Sequence, residues 1–124
     1  MQMRKTLVAV VDDDPSMRHA IERLLRVSGM ACIGYESAES FLVEQGGASP
    51  DFVVIDVDLY ATDGLQLQAR LKAKAPHLPI IVITGRHSEA VRSVALAQGC
   101  VAYMVKPFSG TALVDAIRSA QATP

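Results

Sequence analysis

Five short apolar runs rich in valine and isoleucine, separated by amphipathic stretches, set what this chain can fold into. Leu7 to Val11, Val53 to Ile55 and Ile80 to Ile83 are nearly unbroken in aliphatic and β-branched residues. A strand with one wet face alternates apolar and polar side chains, whereas strands of a parallel sheet lie under crossover helices on both faces and read as continuous runs. Ala31 to Tyr35 is a weaker run and reads as an edge strand, and Val101 to Val105 supplies the fifth. The alternation predicts a doubly wound, five-stranded parallel α/β sheet of (βα)5 type.

The stretches between carry helix punctuation. Asp14 caps a helix that starts at Pro15, presents Met17, Ile21, Leu24 and Leu25 on one face and ends at Gly29. Ser37 opens a second helix carrying Phe41 and Leu42, and Asp63 a third, with Leu67 and Leu71 one turn apart and Pro76 forcing its end. The fourth runs from Ser88, is expected to bury Val91, Val94 and Ala95, and stops at Gly99; Ser109 opens the fifth, with Leu113 and Ile117 four apart. The expected organisation is one domain over 1–124 with a core of about 6–120. Residues 121–124 read as a plain terminus or the start of a linker.

Bulk composition narrows the function classes. A net charge of -1, without basic runs, gives no electrostatic footprint for nucleic acid. No apolar run approaches the roughly 20 residues that span a bilayer, so the expectation is no membrane and a cytoplasmic setting. Cys32 and Cys100 lack the spacing of a metal knuckle or redox pair and read as buried thiols. His19, His77 and His87 have no metal-ligand spacing and read as helix-surface or loop residues.

The chemistry gathers where strands end. Asp12 and Asp13 follow the first run, Asp56 the third, Thr84 the fourth and Lys106 the fifth. Open α/β sheets bind ligands beyond the carboxyl ends of their strands. Carboxylates crowded there repel by about 4 kcal/mol per pair at ~4 Å and an effective dielectric near 20, so such a cluster calls for a cation. A hard, oxygen-rich site with open positions suits Mg²⁺ shared with phosphate oxygens. Lys106 adds a point charge for an anion, Thr84 a hydroxyl, and Asp56, alone at the end of the middle strand, is the candidate nucleophile toward phosphorus. Singly, each has a plainer role: the acidic pair as a helix cap with a solvated neighbour, Asp56 as a loop residue, Thr84 as a strand terminus, Lys106 as a surface charge.

Val10-Val11-Asp12-Asp13-Asp14, Pro50-Asp51 leading to Asp56, Asp63-Gly64, Ile83-Thr84-Gly85 and Tyr103-Met104-Val105-Lys106-Pro107-Phe108, in this order, resemble the receiver (CheY-like) domains of bacterial two-component response regulators. The Thr84-Gly85 step resembles the FixJ/LuxR-type subset. The resemblance implies a flavodoxin-like sheet of order 2-1-3-4-5. It implies that Asp56 takes a phosphoryl group from a sensor histidine kinase, and that Asp13, Asp56 and the Asp58 main-chain carbonyl bind Mg²⁺ with help from Asp12. By the same resemblance Lys106 would pair with a phosphoryl oxygen, the Lys106-Pro107 bond would be cis, and Thr84 and Tyr103 would form the switch. It further implies homodimerisation or output through the helix 4, strand 5, helix 5 face, and a signalling module rather than an enzyme, without nucleic-acid contact of its own.

The chain departs from the family after Asp56, where Leu59-Tyr60 replaces a usual step containing proline. The expectation is a mobile loop or a Tyr60 ring packed over the site. Asp58 adds a carboxylate beside the acceptor, and Arg86 is positioned to reach it. Two rivals compete. Asp56-Val57-Asp58 also resembles the nucleophile motif of haloacid-dehalogenase phosphatases, but that family places this motif before its metal-binding acids. A pseudo-receiver that never takes phosphate would be expected to lack at least one of the acids, Thr84 or Lys106.

Overall fold

The computed structural model describes residues 4–44, 49–58 and 63–122, and its elements alternate as the apolar runs require. They are β1 (Leu7–Val11), α1 (Pro15–Val27), β2 (Ala31–Tyr35), α2 (Ala38–Glu44), β3 (Phe52–Asp56), α3 (Gly64–Lys74), β4 (Ile80–Thr84), α4 (Glu89–Ala97), β5 (Ala102–Val105) and α5 (Gly110–Ala122). All strand pairs are parallel, in the order β2-β1-β3-β4-β5. The order reverses about β1 and β3, and that reversal opens a crevice at the carboxyl edge.

Both sheet faces are covered, which is why the central strands need no polar alternation. Every residue of β3 and β4 is buried. One core layer joins Val8, Val10, Val54, Ile81 and Ile83 to Ile21 and Leu25 of α1 and Leu113 and Ile117 of α5. The other joins Ala9, Val11, Val53, Ile55 and Val82 to Phe41 of α2, Leu67 and Leu71 of α3 and Ala95 of α4.

The caps fall where the sequence puts them. Asp14 accepts from the Ser16 and Met17 amides, Asp63 from Leu65, Ser88 from Val91 and Ser109 from Ala112. α1 and α4 close in the same way. Gly29 (φ 86°) donates to the Arg26 carbonyl and Met30 to Leu25, while Gly99 (φ 87°) donates to Leu96 and Cys100 to Ala95. This paired C-terminal bonding needs a left-handed residue, which glycine adopts without a Cβ penalty. At the opposite edge of the sheet, Asp51 accepts the Leu7 amide and a fork from Arg4, binding the starts of β1 and β3 together.

Three details differ from the sequence reading. Val94 is 43% exposed rather than buried, because α4 meets the sheet on a narrow stripe centred on Ala95. Val101 lies outside β5 and is 48% exposed. The two thiols are half-buried, and burial pushes both up from the usual range. Among the described residues no helix is long and apolar enough to cross a membrane.

Gly64 is fixed by the site beneath it. A Cβ there would lie 2.5 Å from the Asp56 carbonyl oxygen and 2.5 Å from Val57 Cα. Both obstacles are main chain, so no side chain can swing away to relieve them. Gly64→Ala is expected to lower stability by about 3 kcal/mol and to move the end of β3; a urea unfolding midpoint equal to the parent's would contradict this.

Candidate active site

The register brings the polar strand ends together. Val11 pairs with Ile55, Asp56 with Ile83 and Thr84 with Val105, so the residues at and just beyond these positions line one edge. Asp12, Asp13 and Asp56 offer carboxylate oxygens that all lie within 4.8 Å of one another. Asp12 is fully buried and Asp56 is 3% exposed, while Asp13 is half-buried toward the opening. Lys106 Nζ donates to Asp56 Oδ2 at 2.7 Å and reaches Asp12 Oδ2 at 3.5 Å. The Lys106 amide donates to the Thr84 carbonyl at 2.8 Å, and the Lys106–Pro107 bond that follows is cis.

The remaining lone pairs are held by the backbone. Asp12 Oδ1 accepts the Asp14 amide at 3.0 Å, and Asp56 Oδ1 accepts the Asp58 amide at 2.8 Å. Arg18, one turn into α1, donates to the Asp12 carbonyl at 2.8 Å, a contact the sequence reading missed although the residue stands only six beyond Asp12.

Three carboxylates facing one ammonium leave an excess of negative charge in a buried place. Burial pushes the Asp12 carboxyl up to about 6, with the Asp56 charge adding and the Asp14 amide and Lys106 opposing. Lys106 is pulled down by its own burial, but the bond to Asp56 and the two carboxylate charges outweigh this and raise it. A divalent cation fits such a site: hard oxygen donors, excess negative charge and an open side at Asp13.

Thr84, 1% exposed, has its hydroxyl turned along its own loop. It donates to the Arg86 carbonyl at 3.0 Å and accepts the Arg86 amide at 3.1 Å. Asp58 Oδ2 accepts the Gly85 amide at 3.1 Å and lies 3.4 Å from the Thr84 hydroxyl. The Arg86 side chain forms no ion pair with Asp58 among the described residues; Asp58 Oδ2 instead takes the Gly85 amide. Tyr103 is half-buried, its hydroxyl 3.4 Å from His87 Nδ1 and its ring edge-on to the imidazole. His87 Nε2 meets Glu89 Oε1 at 2.9 Å. His87 is thus a loop histidine as expected, but one with partners on both nitrogens. Tyr60 lies outside the described residues.

Comparison with known proteins agrees with this geometry. Residues 8–118 match the model of the response regulator receiver domain family. The DNA-binding transcriptional regulator NtrC of Salmonella typhimurium is 36% identical over 107 residues, covering 86% of this chain and 23% of that protein. The transcriptional regulatory protein FixJ of Bradyrhizobium diazoefficiens is 34% identical over 119 residues, covering 94% of this chain and 58% of FixJ. The chain therefore spans about a quarter of the NtrC relative and little more than half of FixJ. The crystal structure of FixJ-N superposes with a TM-score of 0.87 at 29% identity, covering 98% of each chain.

Proposed function

Since the chain belongs to the response regulator receiver domain family, we propose that Asp56 is the phosphoacceptor through which a sensor histidine kinase sets the state of this domain. The observation that carries this is Asp56 itself: buried, bonded to Lys106 Nζ at 2.7 Å, and within 4.8 Å of two further carboxylates. A carboxylate oxygen of Asp56 forms the new P–O bond as the P–N bond to the kinase imidazole breaks, and the bond pair stays with that nitrogen. Asp13, Asp56 and the Asp58 carbonyl would hold Mg²⁺, with Asp12 behind them. Bound there, the ion neutralises charge on the transferring group. Lys106 takes one phosphoryl oxygen, and Thr84 turns from Arg86 toward another while Tyr103 follows inward.

The domain works in the cytoplasm, and its output lies on the face built by α4, β5 and α5. Val94 and Val101 are exposed on or beside it, which supports self-association there in the phosphorylated state.

Acetyl phosphate with Mg²⁺ tests the reading. The expected result is a gain of one phosphoryl group per chain by intact mass, mapped to Asp56 and removed by hydroxylamine, with a shift from monomer to dimer in sedimentation. No mass gain would overturn the assignment, and sustained turnover of the phosphodonor would point to a phosphatase instead.

A further inference from the structure

The Asp58 side chain does more than border the acceptor. Its amide donates to Asp56 Oδ1 at 2.8 Å, and its carboxylate crosses to the end of β4, where Oδ2 accepts the Gly85 amide at 3.1 Å with the Thr84 hydroxyl 3.4 Å away. One donor on the neighbouring strand end, the Gly85 amide, is therefore held by that anionic oxygen, and the Thr84 hydroxyl, whose proton goes to the Arg86 carbonyl, lies against it. β3 and β4 are paired in register, Asp56 opposite Ile83, so those donors stand one and two residues past the acceptor's own partner.

A phosphoryl group on Asp56 would bring three anionic oxygens to this edge. Lys106 serves the side facing β5 and β1. On the β4 side, the donors within reach of the strand end are the Thr84 hydroxyl and the Gly85 amide, and Asp58 now engages Gly85 and lies against Thr84. Thr84 is braced as well by its exchange with the Arg86 main chain. The carboxylate and a phosphoryl oxygen are alike in charge and in the donors they need, and they repel each other.

We propose that the Asp58 carboxylate is a built-in competitor for the phosphoryl group: it holds the Thr84–Gly85 donors in the unphosphorylated protein and must swing out for them to turn. Asp58 is thus a positioning residue that sets the threshold for switching. The proposal rests on Asp56 as the phosphoacceptor. It differs from an ordinary loop brace in the sign of its effect. Removing a brace loosens the donors and weakens binding of a phosphoryl analogue, whereas removing a competitor strengthens it.

The test is a beryllofluoride titration of this chain at saturating Mg²⁺, followed by the Gly85 amide resonance. Asp58→Ala is expected to half-saturate at about tenfold lower beryllofluoride, the scale of one lost hydrogen bond to a charged acceptor. Asp58→Asn, which keeps a carbonyl oxygen but loses the charge, falls between. Before any ligand is added, the Gly85 amide proton moves upfield in Asp58→Ala and exchanges faster. At saturation it coincides with the parent's. Equal or weaker binding by Asp58→Ala, or an unchanged Gly85 resonance in the free protein, overturns the competitor. A parent that never responds to beryllofluoride overturns the phosphoacceptor reading itself, and the free-protein Gly85 resonance separates the two failures.

Discussion

Asp56→Asn is expected to reduce phosphoryl incorporation from acetyl phosphate by at least about a thousandfold, the scale at which losing a nucleophile leaves only the surrounding electrostatics. The amide keeps the shape and can still accept the Asp58 N–H, so the fold should persist. The metal-free protein should in fact gain stability, by about 1 kcal/mol, because one of three mutually repelling carboxylates is gone while Lys106 keeps Asp12 as its partner. Urea unfolding in the presence of a chelator measures the second effect and intact mass the first. Label that persists in the variant and maps to Asp13 would show that the acceptor had been misassigned among the three acids.

Lys106→Ala has the opposite consequence for stability. Lys106 is the one ammonium bonded to the buried pair Asp12 and Asp56 among the described residues. Removing one partner of a buried ion pair strands the other, and a loss of about 3 kcal/mol is expected at pH 8 without divalent cations. The pH dependence carries the diagnosis. Asp12 sits at about 6 in the folded protein, mainly through burial, so between roughly pH 4 and 6 the folded state binds a proton there that the unfolded state has released. The stability tied to that proton is present at the acid end and is lost as pH rises through 6. Without Lys106 the carboxyl rises further, the proton stays on, and the deficit shrinks at pH 5. The raised Lys106 itself keeps its charge across this range, since its own contribution fades only above the ordinary lysine value. Equal losses at pH 5 and pH 8 in chelator would refute this account, and restoring stability with Asp12→Asn in the same background would support it.

The parts of the site legible in the sequence share a physical reason: they depend on local patterns. Continuous aliphatic runs mark strands covered on both faces, Asp14, Asp63 and Ser88 mark helix starts, and the polar residue at each strand end then falls on one edge whatever the loops do. What was not legible depends on distances between segments. Gly64 looks like an ordinary residue after a cap until its approach to the Asp56 backbone is seen. Arg86 has the charge to meet Asp58, yet the bond that Asp58 Oδ2 accepts at this strand end comes from the Gly85 amide. Val94 satisfies the apolar periodicity of α4, yet a short helix beside an edge strand has room to bury only a narrow stripe. Gln68, fully buried, joins α3 to α4 by donating to the Ala95 carbonyl and accepting from Gln98, and nothing in its polar neighbourhood along α3 announces that.

The contacts of Lys106 reach 50 residues back to Asp56 and 94 back to Asp12. During synthesis the amino-terminal part of a chain emerges first, so both acids are made well before the ammonium that balances them. A chain arrested before β5 would carry the acidic crevice without its counter-charge and without the edge strand that closes the sheet. Charge balance at the crevice is therefore a late event in assembly.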